Sequence, residues 1–87
     1  MKSVQQTSLL AYYDIYGSLG KRQEQVYIVI REKEAINNRM IGELLGLPIN
    51  SVTPRVRELV EKGLVKQSHI AKDTVTNTKT IFWRIIE

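Results

Sequence analysis

Between Asn37 and Leu64 the apolar residues recur at helical spacing in two short runs with a glycine between them. In the first run Ile41, Leu44 and Leu45 share one side, behind Asn37 at the capping position. Gly46 ends that run, because glycine takes the positive φ of a tight turn without steric cost. Leu47 then fills the angle between the two runs. In the second run Val52, Val56, Leu59 and Val60 stand at i, i+4, i+7 and i+8, which predicts a core-facing stripe. Two residues resist the pattern. Gly42 costs up to about 1 kcal/mol relative to alanine inside a helix, which a close helix contact would explain. Pro54 removes a helical hydrogen bond, and the cost is smallest if Asn50 or Ser51 caps the helix, so that the proline falls in or beside the first turn. The second helix is therefore expected to start late, with Ile49, Asn50 and Ser51 in a stiff loop before it.

Upstream, KRQEQVYIVIREK places Val26, Tyr27, Val29 and Ile30 on an inward stripe, with Ser18 as its expected cap. Thr7 or Ser8 is expected to cap a shorter helix that carries Leu9, Leu10, Tyr12, Tyr13 and Tyr16 and ends at Gly17. Ala35 and Ile36 form a brief apolar link. Downstream, Gly63 closes the third long helix, and LVKQSHI and TIFWRII read as strands joined by AKDTVTNTK, a polar stretch with the composition of a mobile loop. Ile81, Trp83 and Ile85 share one strand face, which makes Trp83 a core plug, and His69 reads as a strand surface residue. The expected fold class is α+β: a winged helix-turn-helix with a three-helix core and a two-stranded β-hairpin wing, plus an extra short N-terminal helix. Residues 1–17 form the extension and residues 18–87 the domain.

Eighty-seven residues leave room for one core. With no cysteine and a single histidine, neither a thiolate nor a nitrogen-ligand metal site is expected, and no cofactor. The same scarcity removes any credible nucleophile and base pair, and no GxxxxGK[ST] phosphate loop occurs, so the chain does not read as an enzyme. No apolar run reaches the roughly 20 residues of a membrane-spanning helix, and the N-terminus lacks a signal-peptide pattern. A cytoplasmic location without membrane contact is the expectation. The net charge of +4 and pI of about 9.6 favour a polyanionic partner.

Advancing 100° per residue from the stripe sets Asn50, Pro54, Arg57 and Glu61 opposite the core, with Ser51, Arg55 and Glu58 on the flanks. The N-terminal half of this helix is polar and basic, and its acids gather at Glu58 and Glu61. That polarity fits a helix entering the major groove of double-stranded DNA. Arg55 and Arg57 carry most weight as groove contacts, and Asn50, Ser51, Thr53 and Pro54 lie beside them. Arg39, Lys72 and Lys79 are candidates for the DNA backbone, although lysines beside a hairpin turn also serve simply to keep a sheet edge soluble. Leu9, Tyr12, Tyr13 and Tyr16 serve either the domain's own core or a homodimer contact.

The run IGELLGLPINSVTPRVRELVEKGLV resembles the helix-turn-helix of the MarR-like winged-helix superfamily. The likeness extends over roughly Ser18 to Ile86. Ile41, Leu45, Gly46 and Leu47 match the family's first motif helix and turn, while Val52, Arg55, Leu59, Gly63, Leu64 and Val65 match its recognition helix and the strand beyond. Gly42 stands where that family usually has alanine, and Pro54 departs from its recognition helix. The chain is also similar to small winged-helix proteins of phage and prophage genomes, which show a comparable S-V-T-P-R-V-x-E-L-V helix and a tryptophan near the C-terminus. The resemblance implies a sequence-specific DNA-binding protein acting in transcription regulation, of phage, prophage or bacterial type. Long C-terminal helices such as hold the ligand in full-length MarR-type regulators have no counterpart in these residues, so small-molecule sensing is not expected. The alternative is a protein–protein interaction or phage assembly module that does not bind DNA.

Overall fold

A computed structural model describes residues 19–87. The expected N-terminal helix with Leu9, Tyr12, Tyr13 and Tyr16, and the expected cap at Ser18, lie outside these residues. The first described helix, α1 (Lys21–Lys33), has Gly20 as its N-cap, and the Gly20 N–H donates to Gln23 Oε1 at 3.2 Å. Val26, Tyr27 and Ile30 of α1 are buried, as their spacing predicts. The helix ends in a tight three-residue turn about Glu34 (φ 69°, ψ −40°), where the Ala35 N–H donates to the Lys33 carbonyl at 2.7 Å.

The apolar link that follows is a strand. β1 (Ile36–Asn37) pairs antiparallel with β3 (Lys79–Ile85), which in turn pairs with β2 (Val65–Lys72), giving a three-stranded sheet in the order β1-β3-β2. The register runs from Val65 opposite Ile85 to Lys72 opposite Lys79, with Ser68 bulged out between Gln67 and His69. His69 is exposed and stacks on its cross-strand partner Phe82 at 4.8 Å between ring centroids. Trp83 and Ile85 pack against the core, whereas Ile81 is exposed in a hollow that it lines together with Trp83. It shares their face but lies beyond the helices' cover.

α2 (Asn38–Leu45) and α3 (Ile49–Glu61) complete the frame. Asn37 caps α2 by accepting from the Met40 N–H at 2.8 Å, and Gly46 takes the left-handed conformation at φ 68°. Gly42 is buried, and a Cβ placed on it would lie 2.7 Å from the Leu47 carbonyl oxygen and 3.5 Å from Val52 Cγ2. The turn thus folds directly onto α2 at this residue. Because the buried side of α2 passes through Ile41 and Gly42, Leu44 is rotated outward and is 53% exposed, contrary to its expected inward place. Val60, on the edge of the α3 stripe, is also exposed, while Val52, Val56 and Leu59 are buried. Gly42→Ala is expected to destabilise by about 1–2 kcal/mol, the overpacking against rigid backbone outweighing the gain in helix propensity. A urea melt as stable as that of the native chain would contradict the close approach.

The late start expected for α3 is not realised. Pro48 is its N-cap, and Pro54 lies within the helix, where its missing N–H leaves the Asn50 carbonyl without the usual helical donor. Asn50 is exposed, so water can satisfy that oxygen. At the other end Gly63 (φ 77°) donates to the Val60 carbonyl and Leu64 to the Leu59 carbonyl, a double closure that turns the chain into β2.

Candidate nucleic-acid interface

Asn50, Thr53 and Arg57 stand at i, i+3 and i+7 on α3 and are all exposed. With Ile49 and Pro54 they line one shallow hollow along the helix. Among the described residues Arg57 makes no side-chain hydrogen bond or salt bridge, and Thr53 Oγ1 accepts from Asn38 Nδ2 of α2 at a long 3.4 Å. The first turn of α3 contains no acidic residue, although the positive end of a helix favours one. Ser51 is half-buried, and its N–H is directed back to the Pro48 carbonyl at 2.9 Å.

Arg55 stands apart from this strip. Its guanidinium grips Glu58 through two bonds, Nε to Oε1 at 2.9 Å and Nη2 to Oε2 at 2.8 Å. Glu58 Oε1 also accepts from Gln23 Nε2 of α1 at 2.7 Å. Arg55, and next to it Gln23, hold the Glu58 carboxyl below its ordinary pKa. The three residues brace α3 against α1, and they turn Glu58 away from being a bare negative charge beside the groove strip.

The wing is tied down by a residue the sequence reading passed over. Asp73 is only 1% exposed, and its carboxylate accepts from Asn37 Nδ2 at 2.8 Å, Arg39 Nε at 2.8 Å and Thr76 Oγ1 at 3.1 Å. It accepts as well from the backbone N–H groups of Val75 and Thr76 at 3.1 and 2.9 Å. The turn 73–78 closes through Asp73 N–H to the Thr78 carbonyl and Asn77 N–H to the Asp73 carbonyl, both at 2.8 Å. Asn37 in addition donates to Thr80 Oγ1 at 3.0 Å. The expected mobile loop is therefore a short hydrogen-bonded tip latched to the start of α2. The Asn37 amide and the Thr76 N–H, then Arg39, hold the Asp73 carboxyl well below the usual carboxylate range despite its burial. The local signal was the spacing D-x-x-T, in which aspartate caps its own turn; its partners Arg39 on α2 and Asn37 on β1 lie 34 and 36 residues away and leave no local trace.

Arg39 is consequently not a loose cation. Its Nη1 also bonds Glu43 Oε1 at 3.0 Å, so two carboxylates hold it between α2 and the wing. Lys72 and Lys79 face each other across β2 and β3 at the base of the tip, both exposed and without a salt-bridge partner among the described residues. Like charges directly opposite repel, and an anion between them would relieve that repulsion. The structure thus gathers Asn50, Thr53, Pro54 and Arg57 on one strip and assigns Arg55 and Arg39 to internal bridges. Lys72 and Lys79 stand on the latched wing.

A family model described as winged helix-turn-helix DNA-binding matches residues 19–66. No curated protein matches the sequence. Among solved structures the chain is similar to a possible transcriptional regulator of Methanosarcina mazei Go1, with TM-score 0.64 and 18% identity over 79% of this chain and 57% of that one. It is similar to the multiple antibiotic resistance repressor MarR at TM-score 0.64 and 21% identity, covering 99% of this chain and 59% of the repressor. The disulfide-formed structure of AbfR superposes at TM-score 0.65 and 16% identity, with 99% and 66% covered. At these identities the likeness establishes a shared MarR-like winged fold, and the chain spans between 57% and 66% of the length of these structures.

Proposed function

Because the chain belongs to the winged helix-turn-helix DNA-binding family, we propose that it binds double-stranded DNA sequence-specifically and serves as a transcriptional regulator of bacterial or phage type. The observation that carries this reading is the exposed strip Asn50, Thr53 and Arg57, which runs over the first two turns of α3 and holds no acid, beside a wing whose exposed lysines have no acidic partner among the described residues. In this reading the stretch of α3 from Asn50 to Arg57 lies in the major groove. Arg57 pairs with guanine O6 and N7 or clamps a phosphate, and Asn50 and Thr53 reach neighbouring base edges. Ser51 and Pro54 shape the backbone at the groove. Lys72 and Lys79 flank a phosphate, and Arg55 and Arg39 act mainly by holding α3 and the wing in place. A second copy, joined through Leu9, Tyr12, Tyr13 and Tyr16, would pair half-sites, and the work would be done in the cytoplasm.

Fluorescence anisotropy with a mixed-sequence duplex across a salt series tests the proposal. Affinity should fall steeply with salt through counterion release. Lys72→Ala/Lys79→Ala should flatten the log–log slope by about 1, the share of the one phosphate they flank, and weaken all duplexes alike, because phosphate contacts carry no sequence information. A native chain without salt-dependent affinity in dilute buffer would overturn the proposal.

A further inference from the structure

Ile49 is the first residue of α3, and it is 52% exposed. Nothing in the physics of a helix start asks for it there. A β-branched aliphatic residue is an indifferent helix former, and the positive end of the helix favours aspartate or glutamate. Its spacing explains where it points: Ile49 continues the stripe of Val52, Val56 and Leu59 by one turn, beyond the buried set. Three surface hollows share it. One lies toward Gly46 and Leu47, one toward Ile81 and Trp83 beneath the wing, and one along Asn50 and Arg57. The other exposed aliphatic side chains of α3 and β2, Val60 and Ile70, sit away from this junction, at the far end of the helix and on the hairpin. Ile49 is therefore an exposed apolar side chain where the groove strip meets the wing, with Leu47, Ile81 and Trp83 on one side and Asn50, Thr53 and Arg57 on the other.

We propose that Ile49 is a specificity-determining residue that reads thymine through its C5-methyl group. The assignment rests on the DNA-binding reading above. Of the features a base pair shows in the major groove, the thymine methyl is the one recognised by apolar contact rather than by hydrogen bonding. The adjacent Asn50 side chain can meet adenine N6 and N7. Ile49 and Asn50 together favour A·T pairs under the start of α3, while Arg57, two turns along, takes guanine or phosphate.

The native 87-residue chain is first used to select duplexes from a random pool. Each thymine of the selected site is then replaced singly by deoxyuridine, which keeps the pairing edge and O4 and lacks only the methyl group. At one position or a neighbouring pair affinity should drop about fourfold, the effect of returning one methyl group to water. Ile49→Ala should bind the thymine and deoxyuridine duplexes equally at that position, and Ile49→Val should retain a reduced preference. Because Ile49 is exposed, Ile49→Ala is expected to melt with the native chain; if it does not fold, the deoxyuridine series on Ile49→Val decides. A selected site without thymine, a native chain indifferent to every deoxyuridine, or an Ile49→Ala chain that keeps the preference overturns the assignment and leaves DNA binding standing. Loss of all salt-dependent duplex binding overturns instead the reading beneath it.

Discussion

Asp73→Ala should melt about 10 °C or more below the native chain and lose duplex affinity as the wing comes loose. Removing this carboxylate leaves Arg39 facing a buried gap, strips the Asn37 amide of one acceptor, and frees the N–H groups of Val75 and Thr76 that close the tip. The Asn37 amide is buried, and an orphaned buried donor costs more than the net worth of the bond it made. Arg39→Ala should cost less, because Asp73 keeps Asn37 and Thr76. The same group sets an acid limit. Its folded pKa lies well below the unfolded value of about 3.9, so its contribution is fully present above that value and is lost as pH falls through the folded one. Acid unfolding followed by circular dichroism should accordingly be less steep in Asp73→Asn than in the native chain. An unchanged melting temperature in Asp73→Ala would contradict the latch.

Arg57→Ala should weaken duplex binding about 10- to 100-fold while leaving the melting temperature near native, since an exposed arginine without a salt-bridge partner among the described residues contributes little to the fold. Arg55→Ala should show the opposite balance. It breaks the bidentate grip on Glu58 and with it the brace to Gln23, so stability declines modestly and affinity falls through misplacement of α3. Measuring both quantities on both variants separates contact from support. Equal affinity losses with no loss of stability in Arg55→Ala would move Arg55 to the DNA surface.

What the sequence made legible was mostly local. Asn37 as a cap, Gly46 and Gly63 at positive φ, and the stripe Val52, Val56 and Leu59 each follow from chemistry within one or two turns, and each holds. Gly42 was legible for the same reason, as a residue whose missing side chain implies a close neighbour. The departures need partners that are distant in sequence. Ile36 and Asn37 become a strand only because β3 returns beside them. Leu44 turns outward because the approach of Leu47 fixes which side of α2 is buried. α3 starts at Ile49 because Pro48, with its φ preset, already serves as cap, so Pro54 is tolerated inside a helix whose freed carbonyl meets water. In the candidate interface the residue types were readable and their commitments were not. Arg55, Arg57 and Arg39 look alike in a sequence; Glu58, Glu43 and Asp73 decide which of them is free.

Groove placement of α3 can be tested most directly by position-specific cross-linking, since the chain has no cysteine and any introduced one is unique. Asn50→Cys should form a disulfide with a duplex carrying a thiol tether on a thymine C5 atom, which opens into the major groove, and not with a tether in the minor groove. Glu24→Cys, on α1, should form neither. Cross-linking of Asn50→Cys to the minor-groove tether, or equal yields from Glu24→Cys, would contradict a recognition helix seated in the major groove.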